Sequence, residues 1–289
     1  MNSEILVVTG TTCVGKSDFA TELAKKRGAE VLCMDAFQVY QKMPILSAAP
    51  TLSQKAQCPH HLFEFVDPLN NFSIKEYYDK VTDAIKDCWE RGVTPLLVGG
   101  TGLYLRVLRH GLESSKAEQN PEFREEMESL AQQSGREAVH KLLEEKNSKR
   151  ASELHPNDLK RVIRALEIEN FSKQGKQTRD ELAHFCAHWE IYCLQAEREA
   201  LYNKMNQRVL QMIDDGVEEE VRNLLALGVR EGMTSYQAIG LKETAQFLRG
   251  EIDRERWIEI FTRNTRRFAK RQGTWWRSMQ DIQIINREL

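Results

Sequence analysis

Ile5-Leu6-Val7-Val8-Thr9-Gly10-Thr11-Thr12-Cys13-Val14-Gly15-Lys16-Ser17 is the stretch that decides the architecture. A short apolar run ends in glycine, and from Ser17 to Lys26 apolar residues recur at helical spacing, so the chain opens strand, turn, helix. Residues 10–17 fit G-x-x-x-x-G-K-[ST] in the strand-to-helix context that gives this pattern its meaning. Glycines let backbone N–H groups turn inward around phosphate oxygens, and the helix N-terminus adds partial positive charge. Lys16 brings a full charge and Ser17 offers a hydroxyl to Mg2+. Gly10, Thr11, Thr12, Cys13, Val14, Gly15, Lys16 and Ser17 are the expected diphosphate cradle. The motif by itself specifies only a di- or triphosphate. A nucleotide-using kinase or NTPase stays open, with Asp35 holding a Mg2+ water.

Further along, the apolar run Val31 to Met34 ends in Asp35. Another, Leu96 to Val98, follows a helical stretch from about Ile74 to Arg91 and ends in Gly99-Gly100-Thr101-Gly102. Strands alternating with helices predict an α/β core, a parallel sheet flanked by helices, with ligands at the carboxyl ends of the strands. From about Glu113 to Phe185 strands vanish, and Gly135 and Gly175 punctuate short helices, so residues 113–185 read as an all-α insertion. The core is then 1–112 and 186–289. Within it Ile191 to Ala196 reads as a returning strand, and Glu197 to Arg277 as helices broken near Gly216, Gly228 to Gly232, Gly240 and Gly250.

At 289 residues, 41% hydrophobic, the chain is long enough for a sizeable core. No apolar stretch reaches the length of a membrane span, and Met1-Asn2-Ser3-Glu4 runs straight into the first strand without the pattern of a signal peptide. The expectation is a cytoplasmic enzyme with no membrane partner, read as a monomer. Six scattered cysteines, Cys13, Cys33, Cys58, Cys88, Cys186 and Cys193, show no zinc spacing and read as reduced, packed thiols. A net charge of −2 means that any nucleic-acid partner must be held by a local basic face.

Seven segments together resemble the tRNA dimethylallyltransferase (isopentenyltransferase) family. They are the loop 10–17, Asp35-Ala36-Phe37-Gln38-Val39-Tyr40, Pro59-His60-His61-Leu62, Val98 to Tyr104, His155-Pro156-Asn157-Asp158 with Arg161, Arg164 and Glu167, Gln237 to Glu243, and Thr265 to Gln272. They fall in the family's order and span nearly the whole chain. The resemblance implies a P-loop NTPase-like core in which the loop grips a prenyl donor, dimethylallyl diphosphate. It implies attack of an adenine amine on the allylic carbon, with diphosphate and Mg2+ in the cradle. Asp35 resembles the general base, its other reading being a cap or a Mg2+-water ligand. Thr101 resembles the donor to the bridging oxygen of the diphosphate, a position also fit for a helix cap. Arg208 matches an arginine near the diphosphate, whose fork suits phosphate oxygens, although a helical arginine is commonly a surface group.

A tRNA anticodon stem-loop is the implied partner. Between Asn264 and Gln280 there is no acidic residue, while Arg263, Arg266, Arg267, Lys270, Arg271 and Arg277 recur at helical spacing beside Trp275 and Trp276. Such a face suits RNA phosphates. Its other reading is a solvated helix with tryptophans in the core. Lys160, Arg161, Val162, Ile163 and Arg164 fall where the family touches tRNA, as do Arg124 and Gln237. Ala36, Phe37 and Gln38 follow the proposed base, and the Gln38 amide is expected to read a neighbouring base edge. The target adenine is expected to be flipped out of its stack. Departures from the family pattern are Ala48-Ala49 before Pro50, Asp-Ala-Phe in the Asp motif, and Gly273, expected to interrupt a helix. Two other functions share the loop: prenylation of free adenylate, and a small-molecule kinase.

Overall fold

A computed structural model of the chain describes residues 3–111, 120–171 and 187–289. Gly175 and Cys186, and the expected edges of the insertion, lie outside the described residues. The chain divides into two compact units, one of Met1–His110 with His184–Leu289, the other Gly111–Ala183.

In the first unit six strands form one parallel sheet: β1 (Glu4–Gly10), β2 (Ala29–Cys33), β3 (His60–His61), β4 (Thr94–Val98), β5 (His188–Ala196) and β6 (Gln283–Arg287), in the order β3-β2-β4-β1-β5-β6. The central strands are buried along nearly their whole length, which is why they read as unbroken apolar runs. Val98 pairs with Val8 on one side and Cys33 on the other. Strands β4 and β2 therefore end level, β1 runs two residues further against β5, and the three following loops leave the same edge of the sheet. At Gly99 the backbone passes so close to β2 that a Cβ would fall 1.9 Å from the Met34 carbonyl oxygen, so no larger residue fits.

Helices α1 (Lys16–Arg27), α2 (Pro44–Ser47), α3 (Leu52–Lys55), α4 (Ile74–Glu90) and α5 (Gly102–His110) alternate with the first four strands. Helix α4 starts on a Ser73/Glu76 capping box and buries Tyr77, Tyr78, Val81, Ile85 and Cys88 at helical spacing. In the second unit α6 (Pro121–Ser134), α7 (Arg136–Lys146), α8 (Ser148–Ser152) and α9 (Leu159–Phe171) enclose their own small core around Val139, Leu143, Val162 and Leu166. The first unit resumes with α10 (Arg198–Asp214), α11 (Val217–Leu227), α12 (Leu241–Leu248) and α13 (Arg254–Arg277). The last two build an apolar cluster around Trp257 and Phe261. Trp257 stacks on Phe247, with ring centroids 4.5 Å apart. Each such buried aromatic contributes about 1.5–3 kcal/mol.

The expected parallel sheet and the glycine breaks between the C-terminal helices are found. Three details differ. The strands begin earlier than expected, β4 already at Thr94, because Pro95 takes a place near the strand start where the reading stopped. Strands β3 and β6 were not read: the first has two residues, and the second is a half-exposed edge with too little alternation to register. Helix α13 runs unbroken through Gly273, because its stripe of Trp257, Phe261, Thr265, Ala269, Gln272 and Trp276 is buried along the whole helix. The packing of that stripe outweighs a glycine's roughly 1 kcal/mol propensity cost. The five described cysteines are free and buried. Among the described residues no helix is long and apolar enough to cross a membrane.

Candidate active site

The loop after β1 turns through left-handed conformations at Cys13 (φ 66°) and Gly15 (φ 88°), which aims successive N–H groups into one concavity ahead of α1. Lys16 folds back over it, its Nζ donating to the carbonyl oxygens of Gly10 at 3.3 Å and Thr11 at 2.8 Å. Burial pushes the Lys16 ammonium down to about 8, against the opposing pull of the Asp35 carboxylate. From α10, Arg208 Nη1 reaches to 3.7 Å from Cys13 Sγ, so a guanidinium stands beside the cradle.

Asp35 leaves β2 with its Oδ1 accepting from the Phe37 N–H at 3.0 Å. Its other oxygen makes no hydrogen bond within the described residues, so the carboxylate is held by one edge and presents the other. Thr101 follows the Gly99-Gly100 turn, and its hydroxyl oxygen accepts from the Ala36 N–H at 3.1 Å. The loops after β2 and β4 are thereby joined at Thr101 and the residue that follows Asp35.

Cradle, carboxylate and arginine line one cleft of about 900 Å³ with Thr12, Cys13, Gly15, Lys16, Ser17, Asp35, Phe37, Gln38 and Arg208 on its wall. Ile45, Leu46, Val209, Met212, Ile239, Phe261 and Phe268 make part of it apolar. Glu220 supports that wall by accepting from the N–H groups of Ile45 and Leu46 at 2.9 and 2.8 Å. Burial pushes the Glu220 carboxyl up despite those bonds. Among the described residues no cluster of three His, Cys, Asp or Glu is placed to hold a metal unaided. The Ser17 hydroxyl on the wall of the same cleft is an oxygen donor of the kind a hard divalent cation takes.

Residues 38–279 match the family described as IPP transferase. The chain belongs to this family. It is 38% identical over 287 residues to the tRNA dimethylallyltransferase of Caldanaerobacter subterraneus subsp. tengcongensis, covering 98% of this chain and 91% of that protein. To the tRNA dimethylallyltransferase of an Exiguobacterium species it is 39% identical over 278 residues, 96% of this chain and 88% of the relative. Among solved structures, the full-length tRNA isopentenylpyrophosphate transferase of Bacillus halodurans superposes with a TM-score of 0.74 at 35% identity, covering 99% of this chain and 90% of that one. A eukaryotic dimethylallyltransferase acting on tRNA gives a TM-score of 0.82 at 28% identity, over 99% of this chain and 74% of the other.

In this IPP transferase the residues expected at RNA differ in their surroundings. Lys160, Arg161, Gln237, Lys270 and Arg271 are exposed. Arg124, Arg164 and Arg266 carry structural partners. Arg124 donates to both carboxylate oxygens of the fully buried Glu167 at 3.0 and 2.8 Å, and Arg164 pairs with the same carboxylate. Arg266 donates to Asn206 Oδ1 at 2.7 Å from Nη2 and lies over the Tyr202 ring. Val162 and Ile163 are a correction: both are buried in the apolar core of α6–α9, so their side chains face away from any RNA. The helical period that places Lys160, Arg161 and Arg164 outside turns these two inside. Gln38 is corrected in part, since its amide nitrogen donates to the Ser47 and Ala48 carbonyls at 3.2 and 2.9 Å. Only its oxygen is left to accept from a base.

Two residues at the cradle were missed. Arg287, on the unread strand β6, brings Nη2 to 3.9 Å from where a Cβ on Gly15 would lie. Gln272 accepts from the Thr12 N–H at 2.8 Å and donates to the Gly100 carbonyl at 3.1 Å. A signal for Gln272 was available, because it is the one amide in the buried stripe of α13, and a polar group in such a stripe needs partners.

Proposed function

We propose that this IPP transferase moves the dimethylallyl group of dimethylallyl diphosphate to the exocyclic N6 amine of an adenosine adjacent to the anticodon in tRNA, releasing diphosphate. The observation that carries the reading is the single cleft in which a phosphate cradle, an apolar wall and the Asp35 carboxylate come together. The apolar wall suits a five-carbon chain.

On this reading the donor's diphosphate lies in loop 10–17 and its chain against the apolar wall. The N6 lone pair forms the bond to the allylic carbon as the carbon–oxygen bond breaks. The electron pair leaves on the diphosphate, where Lys16 and Arg208 offset the growing charge. Thr101 donates its hydroxyl hydrogen to the bridging oxygen, and the Ala36 N–H behind it polarises that hydroxyl. Asp35 takes the proton released from nitrogen. Ser17 would hold Mg2+ through its hydroxyl, and the ion would add positive charge beside the diphosphate. Lys160, Arg161, Gln237, Lys270 and Arg271 contact the RNA, and the protein acts as a cytoplasmic monomer.

The test is incubation of the purified protein with dimethylallyl diphosphate, Mg2+ and unmodified tRNA carrying adenines 3′ of its anticodon, followed by mass spectrometry of the nucleosides. Prenylated adenosine is expected. Transfer to free AMP alone, or phosphate transfer from ATP, overturns the reading.

A further inference from the structure

Helix α13 does more than carry basic residues. Its C-terminal half lies against the loop after β4: Trp275 occupies the space a Cβ on Gly102 would need, at 2.3 Å, and Gln272 Nε2 lies 2.1 Å from the corresponding point on Gly100. Gln272 is 6% exposed. Its two bonds run to different loops, one to the third residue of the diphosphate cradle, the other to the residue preceding Thr101. One partner is an N–H and the other a carbonyl, so the side chain must offer one acceptor and one donor about a carbon atom apart. The glutamine amide does so at any pH and without charge.

From this geometry we propose that Gln272 is a positioning residue for the transfer, a strut that sets the distance between the diphosphate cradle and the Thr101 hydroxyl. The inference rests on the function proposed above. Thr101 must meet the bridging oxygen of a diphosphate held by loop 10–17, yet the two belong to strands β4 and β1, whose ladder ends at Val98 and Val8. Beyond that level Thr9 Oγ1, donating to the Gly99 carbonyl at 2.9 Å, ties the strand ends, and Gln272 ties the loops themselves. Although it sits beside the exposed Lys270 and Arg271, it serves the donor side of the reaction, with no contact to RNA. A displacement of Thr101 by about 1 Å suffices to cost up to about 10²-fold in rate.

The test compares Gln272→Met, which removes both hydrogen-bonding functions at similar length and adds no charge, and Gln272→Ala, which also removes the bulk, in wild-type and Thr101→Ala backgrounds. Expected is a fall in kcat of about 10-fold or more, with KM for dimethylallyl diphosphate and Kd for tRNA each changed less than about twofold. In the Thr101→Ala background the same changes should cost little, because the residue through which Gln272 acts is gone. A full additional loss in that background, or a tRNA affinity that drops while kcat holds, overturns the inference. Should Thr101→Ala itself turn over normally, the reading of the site fails instead, and the two failures stay distinct.

Discussion

Thr101 and Ala36, sixty-five residues apart in the chain, share one hydrogen bond, with the threonine oxygen accepting the alanine N–H at 3.1 Å. Acceptance leaves the hydroxyl hydrogen to be donated elsewhere, so the bond both ties two loops and orients a proton. Thr101→Ser should retain kcat within a few fold. Thr101→Ala should lower kcat by about 10²–10³-fold and cost about 1 kcal/mol of stability through the orphaned N–H. Steady-state kinetics and denaturant titration read both, and an alanine variant as fast as the parent removes Thr101 from the mechanism.

Asp35→Asn keeps an oxygen for the Phe37 N–H and so preserves the loop. Loss of the proton acceptor should lower kcat by about 10²–10⁴-fold, while tRNA binding by filter retention stays unchanged. Weakened RNA binding with intact turnover would reassign the residue to recognition.

Lys16 binds its proton less tightly folded, at about 8, than its ordinary 10.5. Between these values the unfolded chain holds more protons, so stability contributed through this group rises with pH across that window, and below about 8 the penalty is complete. Lys16→Met should therefore melt higher than the parent at pH 7, with the gap narrowing by pH 10, and should lose pyrophosphate binding by calorimetry. Equal melting temperatures at pH 7 would contradict the burial cost.

Glu167 presents the opposite sign. Burial alone would push its carboxyl up, but the Arg124 guanidinium, the Asn120 N–H and Arg164 hold it below the ordinary range. The stability it contributes is present above the ordinary carboxylate range and is lost as pH falls through the lowered value. Glu167→Gln should destabilise by about 3 kcal/mol, the lower end for a broken buried pair, since both arginines are 35% exposed. Chemical denaturation followed by circular dichroism tests it; a neutral substitution would show that the pairs contribute no net stability.

Lys270→Ala with Arg271→Ala should make the logarithm of tRNA affinity fall less steeply with salt, the slope dropping by roughly 1–2. Arg266 is left in place because it supports α10 through Asn206. An unchanged slope would make the exposed face of α13 an ordinary solvated helix surface.

Local patterning was enough for much of this protein. Residues 5–17 specify strand, glycine turn and helix because each local preference points the same way, and the apolar runs ending at Asp35 and at Gly99 to Gly102 identify strands whose carboxyl ends face the proposed site. Reading the family resemblance from seven short segments needed no more than their order. What sequence distance hid is everything made by contacts between elements: that Cys33, Val98 and Val8 lie side by side, that Gln272 spans two loops, that Arg124 and Arg164 answer to one buried carboxylate, and that Val162 and Ile163 turn inward. Strand pairing and burial join residues far apart along the chain, so no window of ten or twenty residues contains both partners. Chemical identity of the site groups is a local property; their spacing, protonation and division between support and catalysis exist only once the chain has closed on itself.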